Sequence, residues 1–374
     1  MKRKAVALML ALAMTTFSLA ACGGKETEET SAPKEETEKK EESEEGKEEE
    51  QNAEVPETTN IKWAQGLSGN VFVTIAQREG YFEEVGLTIE EIPLDSGQLE
   101  GVVNKQVDIA SNSGTNRPLQ MIAAGDDMAV IGGFMLEGCM PIITKEETEW
   151  KGIEDFIGKK VADTATRYPT CVKLLDAGHD PVNDVEWIDI SNDADKIPAV
   201  LSGEVDYAVL GTGRMYMAEN TEGIKIVGYC DDITPEYSCC RMVARKTWVE
   251  ENPTTVKLLN QALLRAQCYF EANREACIDM MSEELDTNRE YVEAYMGKEE
   301  HYELNVDTVK SVVIDTWNYQ KAVGLIDESV DDSVIEDSVY EDLYKAALDV
   351  CIEKYHDDDP DFWDAQLALY EKYN

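Results

Sequence analysis

Six short stretches of this chain combine Ser, Thr, Asn and Gly in a way that suits the capture of an anion. In the first half they are 65–70 (QGLSGN), 94–97 (LDSG) and 111–116 (SNSGTN); in the second they are 163–168 (DTATRY), 191–195 (SNDAD) and 211–214 (GTGR). Hydroxyls, amides and the free N–H groups at a helix start favour a polar or negatively charged group. Two of the stretches carry an arginine, Arg167 and Arg214, whose planar fork matches the oxygens of a sulfonate, nitrate or carboxylate. The candidate binding residues are Gln65, Gly66, Ser68, Asn70, Ser96, Gly97, Ser113, Gly114, Thr115 and Asn116, then Thr164, Thr166, Arg167, Tyr168, Gly211, Thr212 and Arg214. Gln65 and Asn116 offer amides, while Trp63 and Tyr168 offer rings on which a flat solute would stack. Competing readings are plain helix capping for each Ser or Thr, a solvated surface for each Arg, and the core for Trp63.

Catalysis is not expected. His179, His301 and His356 lie outside all six stretches, and no nucleophile elbow, phosphate loop or HExxH motif occurs. Beyond Cys22 the cysteines are Cys139, Cys171, Cys230, Cys239, Cys240, Cys268, Cys277 and Cys351. With no C-x-x-C and three His in all, they build no zinc framework, and mostly free thiols are expected. Cys239-Cys240 reads as two buried small residues, with a vicinal pair as the alternative. No metal and no cofactor is expected.

The elements that must position the six stretches are written twice. Shifting the sequence by 98 residues lays Lys62 on Lys160, Ala64 on Ala162, Gly80 on Gly178, and Val107-Asp108 on Val205-Asp206, with apolar positions matching between. Each copy reads as β-α-β-α-β with short loops, hence a parallel sheet with helical crossovers. In such sheets ligands bind beyond the carboxyl ends of the strands, where the six stretches fall. After residue 240 the pattern turns helical. Asn252-Pro253 reads as an N-cap and first turn, followed by Val256, Leu259, Leu263, Ala266 and Phe270 on one face. Further helices are expected over 274–285, 288–296, 306–323 and 333–354.

The ends of the chain differ from its body. Lys2, Arg3 and Lys4 precede a short apolar run and then Leu19-Ala20-Ala21-Cys22-Gly23, which resembles a bacterial lipoprotein signal with Cys22 lipidated. Residues 25–57 hold fifteen Glu and five Lys and almost nothing apolar, so they read as an extended, disordered tether. The net charge of −43 argues against nucleic acid, which needs a basic surface.

Gly80-Tyr81-Phe82-Glu83-Glu84-Val85-Gly86-Leu87, Ser96-Gly97 and Val107-Asp108-Ile109-Ala110 resemble the opening of solute-binding proteins of the nitrate/sulfonate/taurine and thiamine-pyrimidine (NMT1/THI5-like) family. Gly158 to Ala162 and Ala199 to Asp206 resemble the second lobe of those proteins, and Glu251-Asn252-Pro253 and Gly324-Leu325-Ile326 their returning C-terminal part. The resemblance implies an α/β type II periplasmic-binding-protein fold, two doubly wound lobes with a helical C-terminal part. It places two strand-like crossovers near 142–146 and 241–245. Signal 1–22, tether 23–57, lobe one 58–144 plus 245–374 and lobe two 145–244 follow. It further implies a monomeric, non-enzymatic receptor, lipid-anchored on the outer face of a bacterial cell membrane, handing a small solute to an ABC permease and its ATPase. A sulfonate- or nitrate-like anion is the first expectation and a thiamine-precursor pyrimidine the second. The other two readings are a sensory subunit and an enzyme like the thiamine pyrimidine synthase, which uses a His and a cysteine-rich iron motif.

Overall fold

The computed structural model describes residues 54–374 except 95 and 191; the signal-like segment, Cys22 and the tether up to residue 53 lie outside the described residues. The strands are β1 (Asn60–Gln65), β2 (Thr88–Pro93), β3 (Ile109–Ala110), β4 (Ala129–Met135), β5 (Pro141–Lys145), β6 (Lys160–Ala162), β7 (Glu186–Trp187), β8 (Tyr207–Val209), β9 (Ile224–Tyr229) and β10 (Cys240–Ala244). They form two five-stranded sheets, ordered β2-β1-β3-β10-β4 and β7-β6-β8-β5-β9. The repeat is thus structural: β1, β2 and β3 occupy the places that β6, β7 and β8 occupy in the second sheet. Three strands of each sheet run parallel, joined by helices such as Val71–Arg78 and Gln98–Val103 in the first and Tyr168–Asp176 and Asp193–Ser202 in the second. Apolar side chains pack on both faces of the first sheet, with Ile61 and Trp63 in one cluster and Ala64, Ala110 and Val130 in another.

The twice-written Val-Asp explains itself in hydrogen bonds. The Asp108 N–H donates to the Lys62 carbonyl at 2.8 Å, and Asp108 Oδ2 accepts the Lys62 N–H at 3.0 Å. Asp206 holds Lys160 in the same way at the same two distances. Each aspartate clamps the first strand of its sheet at the point where the third enters. The matched glycines also agree: Gly80 at φ 77° and Gly178 at φ 89° both follow a helix in left-handed geometry.

Three expectations are corrected. The segments 142–146 and 241–245, expected as strand-like crossovers, are largely strand, as β5 and β10, but they sit inside the sheets and run antiparallel to their neighbours. The chain passes between sheets earlier, over 136–140 and again over 230–239. Each passage leaves an edge strand and enters the other sheet as its fourth strand.

The second correction concerns the C-terminal helices. The helix expected from 306 starts at Lys310, and the one expected over 333–354 is broken into Ser333–Glu336 and Glu341–Tyr355. One cause accounts for both. β4 is an edge strand with unpaired backbone groups. Residues 303–306 and 338–340 leave helical geometry to supply partners: the Asn305 N–H bonds the Phe134 carbonyl at 2.8 Å, and the Val130 N–H bonds the Ser338 carbonyl at 2.8 Å.

Third, Asn252 precedes the helix Pro253–Ala272 but its side chain does not cap it. Asn252 Nδ2 turns back to the Trp248 carbonyl at 2.7 Å. Glu57, expected in the tether, caps instead: its carboxylate accepts the Thr254 N–H at 3.1 Å and the Thr255 N–H at 2.8 Å. Among the described residues no helix is long and apolar enough to cross a membrane.

Candidate functional site

A cavity of about 680 Å³ opens between the two sheets, beyond the carboxyl ends of their parallel strands. The first sheet contributes Ser68, Ser96, Ser113 and Gly114; the second contributes Arg167, Gly211, Thr212 and Arg214. These eight belong to the candidate set, and the structure brings them together. Leu67, Gln98, Asn112, Asn192, Asp193 and Gly213 join them, mostly from the same stretches. Met135, Met140, Cys239 and Cys240 come from the two passages between sheets and from the strand ends beside them.

The wall from the first sheet is a hydrogen-bonded network. Asn112 Nδ2 donates to Ser68 Oγ at 3.2 Å and to the Gly69 carbonyl at 2.7 Å, and Ser113 Oγ donates to Gln98 Oε1 at 3.1 Å. Gly66 lies behind this wall. A Cβ there would stand 2.7 Å from Gln98 Nε2 and 2.8 Å from Asn112 Cβ, so any side chain would displace it.

The two arginines differ. Arg167 is held by Asp163, Nε to Oδ2 at 2.8 Å and Nη2 to Oδ1 at 3.0 Å. Burial works against its charge, but the Asp163 carboxylate more than offsets this and holds the guanidinium well above its usual value. Arg214 has no carboxylate within ion-pair distance among the described residues. Its Nε is buried without a partner, and Nη1 reaches only Met217 Sδ at 3.9 Å. Asp193 also lines the cavity. Burial alone would raise its carboxyl pKa, but Lys196 at 2.6 Å and the Gly211 N–H at 2.6 Å bring it below the usual range. That carboxylate is occupied in holding the 211–214 turn.

Nine candidates do not line this cavity. Asn70 caps the helix Val71–Arg78, accepting the Phe72 N–H at 3.0 Å and donating to Ser111 Oγ at 3.1 Å. The Thr115 N–H donates to the Cys239 carbonyl at 3.0 Å, tying its loop to the second passage. Asn116 opens a helix and lends its carbonyl to Gln320 Nε2 at 3.2 Å. The Thr164 and Thr166 hydroxyls bond each other at 2.6 Å. Tyr168 packs edge-on against Tyr319 with centroids 5.7 Å apart. The Gln65 carbonyl receives the Leu94 N–H at 2.9 Å at the end of β1, Gly66 lies behind the wall, and Gly97 lines an adjoining depression of about 220 Å³. Trp63 is fully buried in the core. Among the described residues, no aromatic ring lines the main cavity.

Sequence reasoning missed Asp163 as the partner of Arg167, although a carboxylate four residues before an arginine is a readable signal. For Met135 and Met140 no local signal exists.

The family model described as NMT1/THI5 like matches residues 70–276, more than half of the chain. No curated protein sequence matches. Among solved structures, the periplasmic nitrate-binding protein NrtA from Synechocystis PCC 6803 is similar at TM-score 0.68 and 16% identity, covering 86% of this chain and 100% of its own. The periplasmic aliphatic sulphonate binding protein SsuA from Escherichia coli is similar at TM-score 0.61 and 17% identity, covering 76% and 92%. The desulfurization enzyme DSZB has TM-score 0.57 and 15% identity, covering 78% and 99%. At these identities the likeness is one of fold.

Proposed function

Because the chain belongs to the NMT1/THI5-like family, we propose that it is an extracytoplasmic solute-binding protein, lipid-anchored through Cys22, that captures a small anion and delivers it to an ABC importer. The observation that carries this reading is Arg214. Arg214, whose Nε is buried without a partner, lines a cavity walled by serines, a threonine and amides. A sulfonate or nitrate oxygen there would gain a charge-assisted bond from a guanidinium that has no carboxylate partner among the described residues. The aromatic-free lining favours such an anion over a pyrimidine. The nitrate-binding and sulphonate-binding structural neighbours support the same class of solute.

Lobe one is then 54–135 plus 240–374 and lobe two 141–229, hinged on the two passages, with closure over the solute as the working motion. Catalysis is not part of this reading. Among the described residues no His lines the cavity, and His301 is engaged with Asp231 at 2.5 Å.

The test is a thermal-shift screen of the full chain against ethanesulfonate, nitrate and a hydroxymethylpyrimidine. An anion at about a hundred times its dissociation constant should stabilise the protein by roughly 2.7 kcal/mol. The shift should vanish in Arg214→Ala at the same concentration. A shift with the pyrimidine alone would overturn the anion reading.

A further inference from the structure

Four sulfur atoms gather at one side of the cavity, from Met135, Met140, Cys239 and Cys240. Cys239 Sγ stands 3.6 Å from Cys240 Sγ and 3.6 Å from Met140 Sδ. Consecutive residues of a regular strand point to opposite faces. Here both thiols line the cavity, because the chain approaches β10 through Ser238 at φ 56° and a register shift follows Cys240. Gly138 leaves the space for them: a Cβ there would lie 2.4 Å from Cys239 Sγ. Nothing in the capture of an anion by Arg214 uses this cluster.

We infer that Cys239, Cys240 and Met140 form a site for a soft monovalent metal ion of the Cu(I) class at the sulfur-lined side of the cavity. Thiolate and thioether donors together select Cu(I) over harder ions. Two sulfurs 3.6 Å apart can both sit about 2.3 Å from one ion at a near-tetrahedral angle. The second donor type matters, because a zinc site would call for imidazole or further thiolates. Among the described residues the cavity offers no imidazole, and the carboxylate that lines it, Asp193, is bound to Lys196 and Gly211. Two thiolates around Cu(I) carry one net negative charge. Cationic Arg167, whose Nη1 lies 3.8 Å from Met140 Sδ, stands beside it. On binding, two S–H bonds break, two Cu–thiolate bonds and one Cu–thioether bond form, and both protons leave to solvent. Copper keeps its oxidation state, so no electron acceptor is involved. The site rests on the cavity's geometry and not on the identity of the solute, so it stands or falls apart from the anion reading.

The experiment is a titration of the reduced full chain, without oxygen, with Cu(I) supplied as its bicinchoninate complex. Copper-edge absorption counts the sulfur neighbours. One tight equivalent with three sulfur neighbours is expected. Cys239→Ser and Cys240→Ser should each lose more than the ~10–100-fold that removal of a supporting group costs. Met140→Leu, which keeps the packing volume, should weaken binding and reduce the sulfur count by one. Cys22→Ser and Cys277→Ser should bind as the parent does, and thermal melts of all variants report whether each is folded. A tight equivalent retained in folded Cys239→Ser and Cys240→Ser overturns the site, as does an unchanged sulfur count in Met140→Leu. Zn(II) displacing Cu(I) at equal free concentration overturns its class.

Discussion

Two arginines in equivalent-looking loops have different work to do, and substitution should separate them. Asp163 is 4% exposed and bonded twice to Arg167. Arg167→Ala leaves that carboxylate buried and unpaired, and should destabilise the fold by about 3–5 kcal/mol, read as a lowered denaturation midpoint. Arg214→Ala relieves a partnerless group and should leave the midpoint of the free protein nearly unchanged. Its expected loss is in affinity, roughly 2–5 kcal/mol by calorimetry with the anion found in the screen, provided the pair is desolvated on closure. The reverse pattern would make Arg167 the solute's partner. A similar contrast separates the two clamping aspartates. Asp206→Ala should cost about 0.5–1.5 kcal/mol for its lost hydrogen bond. Asp108→Ala should cost more, because Asp108 Oδ1 also pairs at 3.3 Å with Arg245, whose side chain is 8% exposed.

At the scale of elements, the long helix Pro253–Ala272 begins on a borrowed cap. Burial alone would raise the Glu57 carboxyl, but the bonds from Thr254 and Thr255 hold it at about 2. An unfolded Glu titrates near ~4.3. The cap therefore contributes stability that is complete above that value and is lost as pH falls through about 2. Glu57→Ala should lower the melting temperature at pH 7, by the equivalent of roughly 0.5–2 kcal/mol for a helix cap, with the low end favoured by solvent exposure. The gap between variant and parent should narrow as acid is added. A gap independent of pH would mean that Glu57 acts by packing alone. The same segment shows why the edge of β4 matters: helical periodicity lost to strand pairing wherever unpaired backbone groups offered partners.

For the whole molecule, the relevant charges cluster around the passages between sheets. Glu137 lies on the first passage and Glu236 on the second, while Glu303 lies beside both, its carbonyl accepting the Leu136 and Glu137 N–H groups at 2.9 and 3.1 Å. Burial, then Glu137 and Glu236, push the Glu303 carboxyl up to about 7. The sign is opposite to that of Glu57. Both states are protonated in acid, the unfolded chain ionises first, and stability falls as pH rises towards about 7. Glu303→Gln escapes this cost, so its melting temperature should gain on the parent between pH 4 and pH 8. A constant difference would place the carboxylate in solvent. Two tyrosines bridge from the C-terminal helices to the second sheet's mouth: Tyr319 O–H to the Ala165 carbonyl and Tyr291 O–H to the Gly213 carbonyl, both at 2.7 Å. Tyr319→Phe should favour the open form, so small-angle scattering should show a larger radius of gyration without solute and compaction on adding it. Equal radii for parent and variant would remove Tyr319 from the closure.

The repeated unit, the alternation of strand and helix, the glycines that end helices, and the loops at the strand ends that meet in the cavity are legible in the residue order alone. These follow from short-range periodicity and turn chemistry, which a few neighbouring residues settle. Eight of the candidate residues reach the cavity because a strand's carboxyl end is the same place in both copies. The rest depends on long-range packing. Cys239 meets Met140 across 99 positions, and Tyr319 draws Tyr168 away from the cavity across 151. β4's edge recruited segments that local pattern had assigned to helices, and β5 and β10 took inner places in the sheets instead of serving as connectors. In each case the deciding free energy is a contact or hydrogen bond between residues distant in sequence. No window of neighbouring residues contains it.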